Sequence, residues 1–220
     1  MEIAGMKFNS PDSAKIGENL SINGPFELTA NGKKQTISAA GKLTADSGEL
    51  LWGKFFGDLN SQKPVFEIDA EYLRAEDRLH CRRCNLNLST VGLIEVSGTV
   101  ERAMDAPLLN LQTKSGNFSP PGFFEFFLRE NFNRQYPALD NLGVGGQMGF
   151  EQKLDGRLEG LRVDGVVSLK AGELRAKSNG WRIGPIALVL PLQIDLGDNK
   201  AGAPGAPRTG TLAIESIRVA

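Results

Sequence analysis

Between Leu161 and Leu196 apolar and polar residues alternate with a period of two, and that pattern decides most of what the chain can become. Leu161, Val163, Val167 and Leu169 share one parity, while Arg162, Asp164, Ser168 and Lys170 share the other. Successive side chains leave a strand on opposite faces, so this period belongs to half-buried β-strands. After a turn-like Ala171-Gly172 the alternation resumes in Leu174 and Ala176 against Glu173, Arg175 and Lys177. It continues in Ile186, Leu188, Leu190, Leu192 and Ile194. One side of the resulting sheet is apolar and has to be covered, either by a second sheet or by something that is not protein.

Further strands are expected at 26–30, 35–39, 49–52, 65–73, 85–90, 93–100 and 108–113. Asn23-Gly24-Pro25, Asn31-Gly32 and Asp46-Ser47-Gly48 read as tight reversals between antiparallel neighbours. The 26 glycines fall mostly between such segments, where they supply turns and bulges. The expected fold is therefore mainly β, a single β-rich domain over 1–220 with a soft boundary near 114–122. Its architecture is an extended, bent antiparallel sheet, an open taco-like groove with one short amphipathic helix. The alternative is a closed β-sandwich.

The helix is expected after Pro120-Pro121-Gly122, where Phe124, Phe127, Leu128 and Phe132 share a face at helical spacing. Ser119 is positioned as the N-cap, with proline just inside, and Pro137 marks the stop. Five of the twelve phenylalanines lie between Phe123 and Phe132, so this segment reads as a lid on the sheet. Beyond 196 a stretch rich in glycine, alanine and proline reads as an exposed loop joining two strands.

No catalytic signature emerges. His80, Cys81 and Cys84 put three metal-ligand types within five residues, but a structural zinc site needs four donors, and the chain has no other histidine or cysteine. No metal, cofactor or catalytic residue is expected. A Cys81–Cys84 disulfide would require a turn at Arg82-Arg83, because in a regular strand their Cα atoms stand about 10 Å apart, beyond bridging distance. If the strand continues instead, the thiols act as small apolar side chains. Gly143-Val144-Gly145-Gly146 lacks the lysine of a phosphate loop and reads as a bulge or turn.

Twenty-five basic residues against 26 acidic ones give a net charge of -1, which offers nucleic acid no attraction. The chain starts in an expected strand (Ile3, Met6, Phe8) and finishes inside another at 211–220, so it reads as a piece of a longer protein.

The stretch GRLEGLRVDGVVSLKAGELRAKSNGWRIGPIALVLPLQI resembles the C-terminal pattern of AsmA-like and TamB-like bacterial envelope proteins. In those families a strand of the form L-x-G-x-L/V-x-L is followed by x-G-x-L and by an I-x-G-I/L-x-L-x-L-P strand. The preceding LDNLGVGGQMGFEQKLDG is similar to their short helix and returning strand. The resemblance implies a bent sheet with an apolar groove open along one side, in the periplasm, within a parent anchored in the inner membrane. It also implies a non-enzymatic role in moving phospholipid between membranes or in outer-membrane homeostasis. The expected groove residues, chosen by parity, are Leu161, Val163, Val167, Leu169, Leu174, Ile186, Leu188, Leu190 and Ile194. The competing expectation is a scaffold or assembly module with a closed protein core.

Overall fold

The computed structural model describes residues 2–12, 14–157, 159–176, 178, 180–196 and 209–218. Its first strands are β1 (Glu2–Asn9), β2 (Lys15–Asn23), β3 (Phe26–Asn31), β4 (Thr36–Trp52) and β5 (Phe55–Asp58). The middle of the chain adds β6 (Val65–Leu73), β7 (Arg78–Leu88), β8 (Gly92–Glu101) and β9 (Leu108–Phe118). A helical insertion separates these from β10 (Leu142–Arg157), β11 (Gly160–Ala176), β12 (Arg182–Asp195), β13 (Thr211–Ile214) and β14 (Ile217–Arg218).

All of them join one antiparallel sheet in the order β1-β2-β4-β6-β7-β8-β9-β10-β11-β12-β13, with β3 and β5 beside β4 and β14 beside β12. Most neighbours in space are neighbours in sequence, so the sheet grows by serial hairpins. β1 and β13 stand at opposite edges, and the sheet does not close. The closed sandwich is therefore not the architecture, because among the described residues there is no second sheet to face the first. The accessible surface of 14102 Å² agrees, since a compact monomer of this mass would expose roughly 10,000 Å².

Several turn signals act differently from expectation. β2 and β3 both pair with β4 end to end, Asn23 opposite Thr44 and Phe26 opposite Gly41, so Asn23-Gly24-Pro25 interrupts a strand without reversing it. Gly24 holds φ +138° there, and a Cβ would come within 2.0 Å of the Lys42 carbonyl oxygen. Asp46-Ser47-Gly48 lies inside β4 at a register shift against β2. Ala171-Gly172 likewise lies inside β11, at register shifts against both β10 and β12. This bulge explains why the apolar parity changes from odd (Val167, Leu169) to even (Leu174) while the face stays the same. Asn31-Gly32 is a true reversal, closed by the Lys34 N–H donating to Asn31 Oδ1. The 114–122 stretch holds the end of β9, hydrogen-bonded on both sides to β8 and β10, and the start of the helical insertion. The loop expected after 196 lies largely outside the described residues.

The insertion runs through three joined turns, Pro120–Phe123, Phe124–Arg129 and Glu130–Phe132. Ser119 caps it by accepting the Gly122 N–H. The middle turn is wider than an α-helix, with the Glu130 N–H donating to the Glu125 carbonyl five residues back. The extra residue per turn shifts the apolar face, so that Phe124 and Phe126 are buried while Leu128 turns outward. Helical spacing alone places Leu128 inside and misses Phe126. Three further short helical turns occupy Leu59–Gln62, Arg74–Glu76 and Ala138–Asn141.

Candidate functional site

Residues directly opposite in antiparallel strands point to the same side, so the register fixes which side chains share a face. One such row runs Leu28–Ala39–Ala70–Cys81–Gly98–Leu111–Leu154–Val163–Ile194, crossing nine strands without a polar side chain. The next row toward the hairpin ends is Ala30–Ile37–Tyr72–Leu79–Val100–Leu109–Gly156–Leu161. On the other side lie Phe150–Val167–Leu190 and Met148–Leu169–Leu188–Leu212. Ile186 continues this face beside Gly172 and Ile214, and Leu174 does so opposite Val144 and Ile183. All nine residues expected on the groove thus lie on one face of β11 and β12.

That face extends far beyond them. Ile37, Phe66, Ile68, Tyr72, Leu79, Leu109 and Leu111 belong to it as well, and the same two-residue alternation in β6 and β9 is the signal that locates them. Thr113 and Gln152, which sit opposite each other, and the buried Ser115, opposite Phe150, interrupt its apolar character. The Tyr72 hydroxyl is taken up at the hairpin end by Asp77, which accepts it at 2.9 Å, and that bond raises the Tyr72 pKa.

At the other end of the strands the helical insertion lies on the apolar face. Its Phe126 is buried with Leu88, Val91 and Phe118, against Phe55, Leu86, Ile94, Phe127, Met148 and Phe150. A chain of ring contacts holds it down: Phe55 on Phe127 at 5.1 Å, Phe127 on Phe123 at 4.8 Å, and Phe118 on Phe123 and Phe150 at 5.5 and 5.7 Å. Arg129 ties the segment to the Ala138–Asn141 turn and to the start of β10, stacking on Phe124 and donating to the Leu139 and Leu142 carbonyls. The lid covers the face between β5 and β10 and leaves β11 to β13 bare. There Leu190 and Ile194 are each 41% exposed, and Leu212 is 63% exposed; Leu28 at the far side is 66% exposed.

Cys81 and Cys84 are joined by a disulfide with Cα atoms 6.1 Å apart. No turn is needed. Arg83 pairs with Asp69 and Cys81 with Ala70, and the register shift between them leaves Arg82 as the extra residue of a bulge inside a continuous β7. The bulge brings both sulfurs to the apolar face and both arginines to the polar one, where Arg82 Nε donates to Asp69 at 2.9 Å. That bond holds the Asp69 carboxyl below its usual pKa. His80 sits opposite Glu71 and Thr99 on the polar side, away from the sulfurs. Among the described residues no cluster of metal-ligating side chains forms.

The polar side carries cross-strand ion pairs, Lys42 with Glu67 at 3.2 Å and Lys114 with Glu95 at 3.6 Å among them. An open recess of 420 Å³ beside Gln147, Glu151, Ser168 and Lys170 mixes both charges and favours neither sign of ligand. Gly143-Val144-Gly145-Gly146 lies in β10, and its last glycine sits at the register shift against β11. Among the described residues no helix is long and apolar enough to cross a membrane. Comparison of the chain with protein-family models, with curated proteins and with solved structures gives no match.

Proposed function

We propose that this chain is a non-enzymatic, lipid-binding segment of an AsmA-like or TamB-like envelope protein, acting in intermembrane phospholipid transport or outer-membrane homeostasis. The observation that carries the reading is the apolar row from Leu28 to Ile194, which crosses nine strands with no second layer of described protein over it. A single-layer sheet that leaves this much apolar surface in water is penalised by about 25 cal/mol per Å², and an acyl chain laid on it recovers about 0.8 kcal/mol per buried CH₂. Because the row is continuous across strands, a chain can move along it without crossing a polar barrier. The Cys81–Cys84 disulfide supports a periplasmic site of action, since such bonds persist in oxidising compartments and are rare in the cytosol. A parent protein anchored in the inner membrane follows from the resemblance of residues 156–194.

A scaffold with a closed protein core loses its premise in an open sheet. The test is native mass spectrometry of gently purified protein. Co-purifying phospholipid is expected, and it should be lost in Leu190→Asp and Ile194→Asp, which place carboxylates on the bare part of the face. Lipid-free wild-type protein that also takes up no added phospholipid would overturn the reading.

A further inference from the structure

We propose that Thr113, Ser115 and Gln152 form a polar site within the apolar face that takes the ester linkages of a diacyl glycerolipid; this rests on the reading that the face holds acyl chains. Thr113 lies opposite Val96 on β8 and Gln152 on β10, and Gln152 lies opposite Gly165 on β11. Their row borders, on its lid side, the apolar row that holds Leu111 and Leu154. Ser115 is one step further along β9, opposite Phe150, which packs against the buried cluster around Phe126 of the lid. The three polar side chains therefore stand together where the bare apolar row meets the lid. Ser115 carries the argument. It is 4% exposed, and its hydroxyl oxygen is enclosed with no hydrogen-bond partner among the described residues. Thr113 and Gln152 are half-buried, and their side chains also lack a partner there. Buried polar groups left unpaired are costly and rare, so three neighbouring ones on an otherwise apolar face call for a ligand that pairs with them.

The chemistry of the three groups selects the ligand. Two hydroxyls and a primary amide offer hydrogen-bond donors, and none of them is charged. In the strand register no charged side chain of β6 to β12 shares the face with them. A phosphate brought here would meet no cation and lose its water, a heavy penalty in apolar surroundings. An ester carbonyl is an uncharged acceptor, and in a diacyl lipid it stands at the head of each acyl chain. With the chains laid along the row from Leu28 to Ile194, the esters reach the row beside it and the headgroup projects away from the sheet. Gly165 leaves the β11 flank of Gln152 free of any opposing side chain, so the amide can turn toward a carbonyl. Thr113 and Gln152 are met directly, and Ser115 is reached as the Phe150 ring turns aside.

The experiment offers the full chain an equimolar mixture of diacyl phosphatidylcholine and diether phosphatidylcholine of equal chain length, which share headgroup and chains and differ only in the ester carbonyls. Native mass spectrometry reads the ratio of the two bound lipids. The diacyl lipid should be favoured by about five-fold or more, the worth of one net hydrogen bond. The ratio should fall toward one in Gln152→Leu and Thr113→Val, and part of the way in Ser115→Ala, while uptake of the diether lipid does not fall. Equal uptake of the two lipids by the wild-type protein overturns the ester site and leaves the groove standing. Uptake of neither overturns the groove and the ester site with it. A preference for the diacyl lipid that survives all three substitutions also overturns the site.

Discussion

Cys81 and Cys84 are three residues apart, an odd spacing that puts them on opposite faces of any regular strand. The bulge at Arg82-Arg83 corrects the parity, and the disulfide pins the bulge in place. Closing so short a loop restricts the unfolded chain only modestly, so replacing both cysteines with serine should lower stability by about 2 kcal/mol, measured by urea denaturation under oxidising conditions. Gly98 makes a sharper demand. It holds φ +134° in the middle of β8, and a Cβ would lie 2.2 Å from the Asn110 carbonyl oxygen. Gly98→Ala must therefore push β8 and β9 apart, and a loss of at least about 2 kcal/mol is expected in the same assay. On the lid, burial and the nearby carboxylates of Glu125 and Asp58 raise the Glu130 pKa. A raised carboxyl pKa favours the folded state at low pH, and this contribution fades as pH climbs through the raised value. Glu130→Gln should accordingly melt slightly higher at neutral pH, on the order of 1 °C, and match the wild type near pH 3.

The lid is the element whose packing is most sensitive to a single side chain. Phe126 is 3% exposed at the centre of its contact with Leu88, Val91 and Phe118, while Leu128, two residues on, faces solvent. Phe126→Ala should cost about 3–5 kcal/mol, and Leu128→Ala less than about 0.5 kcal/mol, as thermal or chemical denaturation would show. A regular α-helix through this segment would give the reverse ranking. The cap at Ser119 and the proline just after it were legible in the sequence, because each depends on one residue and its neighbours; the stop was not, since the helical insertion ends at Phe132 and Pro137 instead precedes the Ala138–Asn141 turn. The wide turn at Phe124–Arg129 was not, since it answers to the position of the sheet beneath it.

At the scale of the whole molecule, the apolar face divides into a covered part and a bare part, and mutations should divide the same way. Phe150→Ala lies under the lid and should destabilise by about 3 kcal/mol. Leu190→Asp lies beyond it, at 41% exposure, and should change the melting temperature little while abolishing phospholipid retention. An equal loss of stability in both variants would mean that the bare part is covered in solution. β12 differs from the other strands in carrying apolar residues on both sides. Ala187, Val189 and Pro191 face away from Ile186, Leu188 and Leu190, a pattern suited to burial on both faces.

The period-two alternation by itself determined most of the strands and the membership of the apolar residues from Leu161 to Ile194 in one face, because side-chain direction in a strand is a local property; β2 and β5 were not read from it, nor was the union of 35–39 and 49–52 in the single strand β4. The helix start at Ser119 and the near balance of charge were equally local. What only the tertiary structure decided is where register slips. The bulges at 46–48, 82–83 and 171–172 look like turns or odd spacings when read along the chain, and only pairing with a neighbour shows that the strand continues through them. Whether the face would be sealed or open was also beyond the sequence. That depends on the edges meeting, and β1 and β13 do not meet.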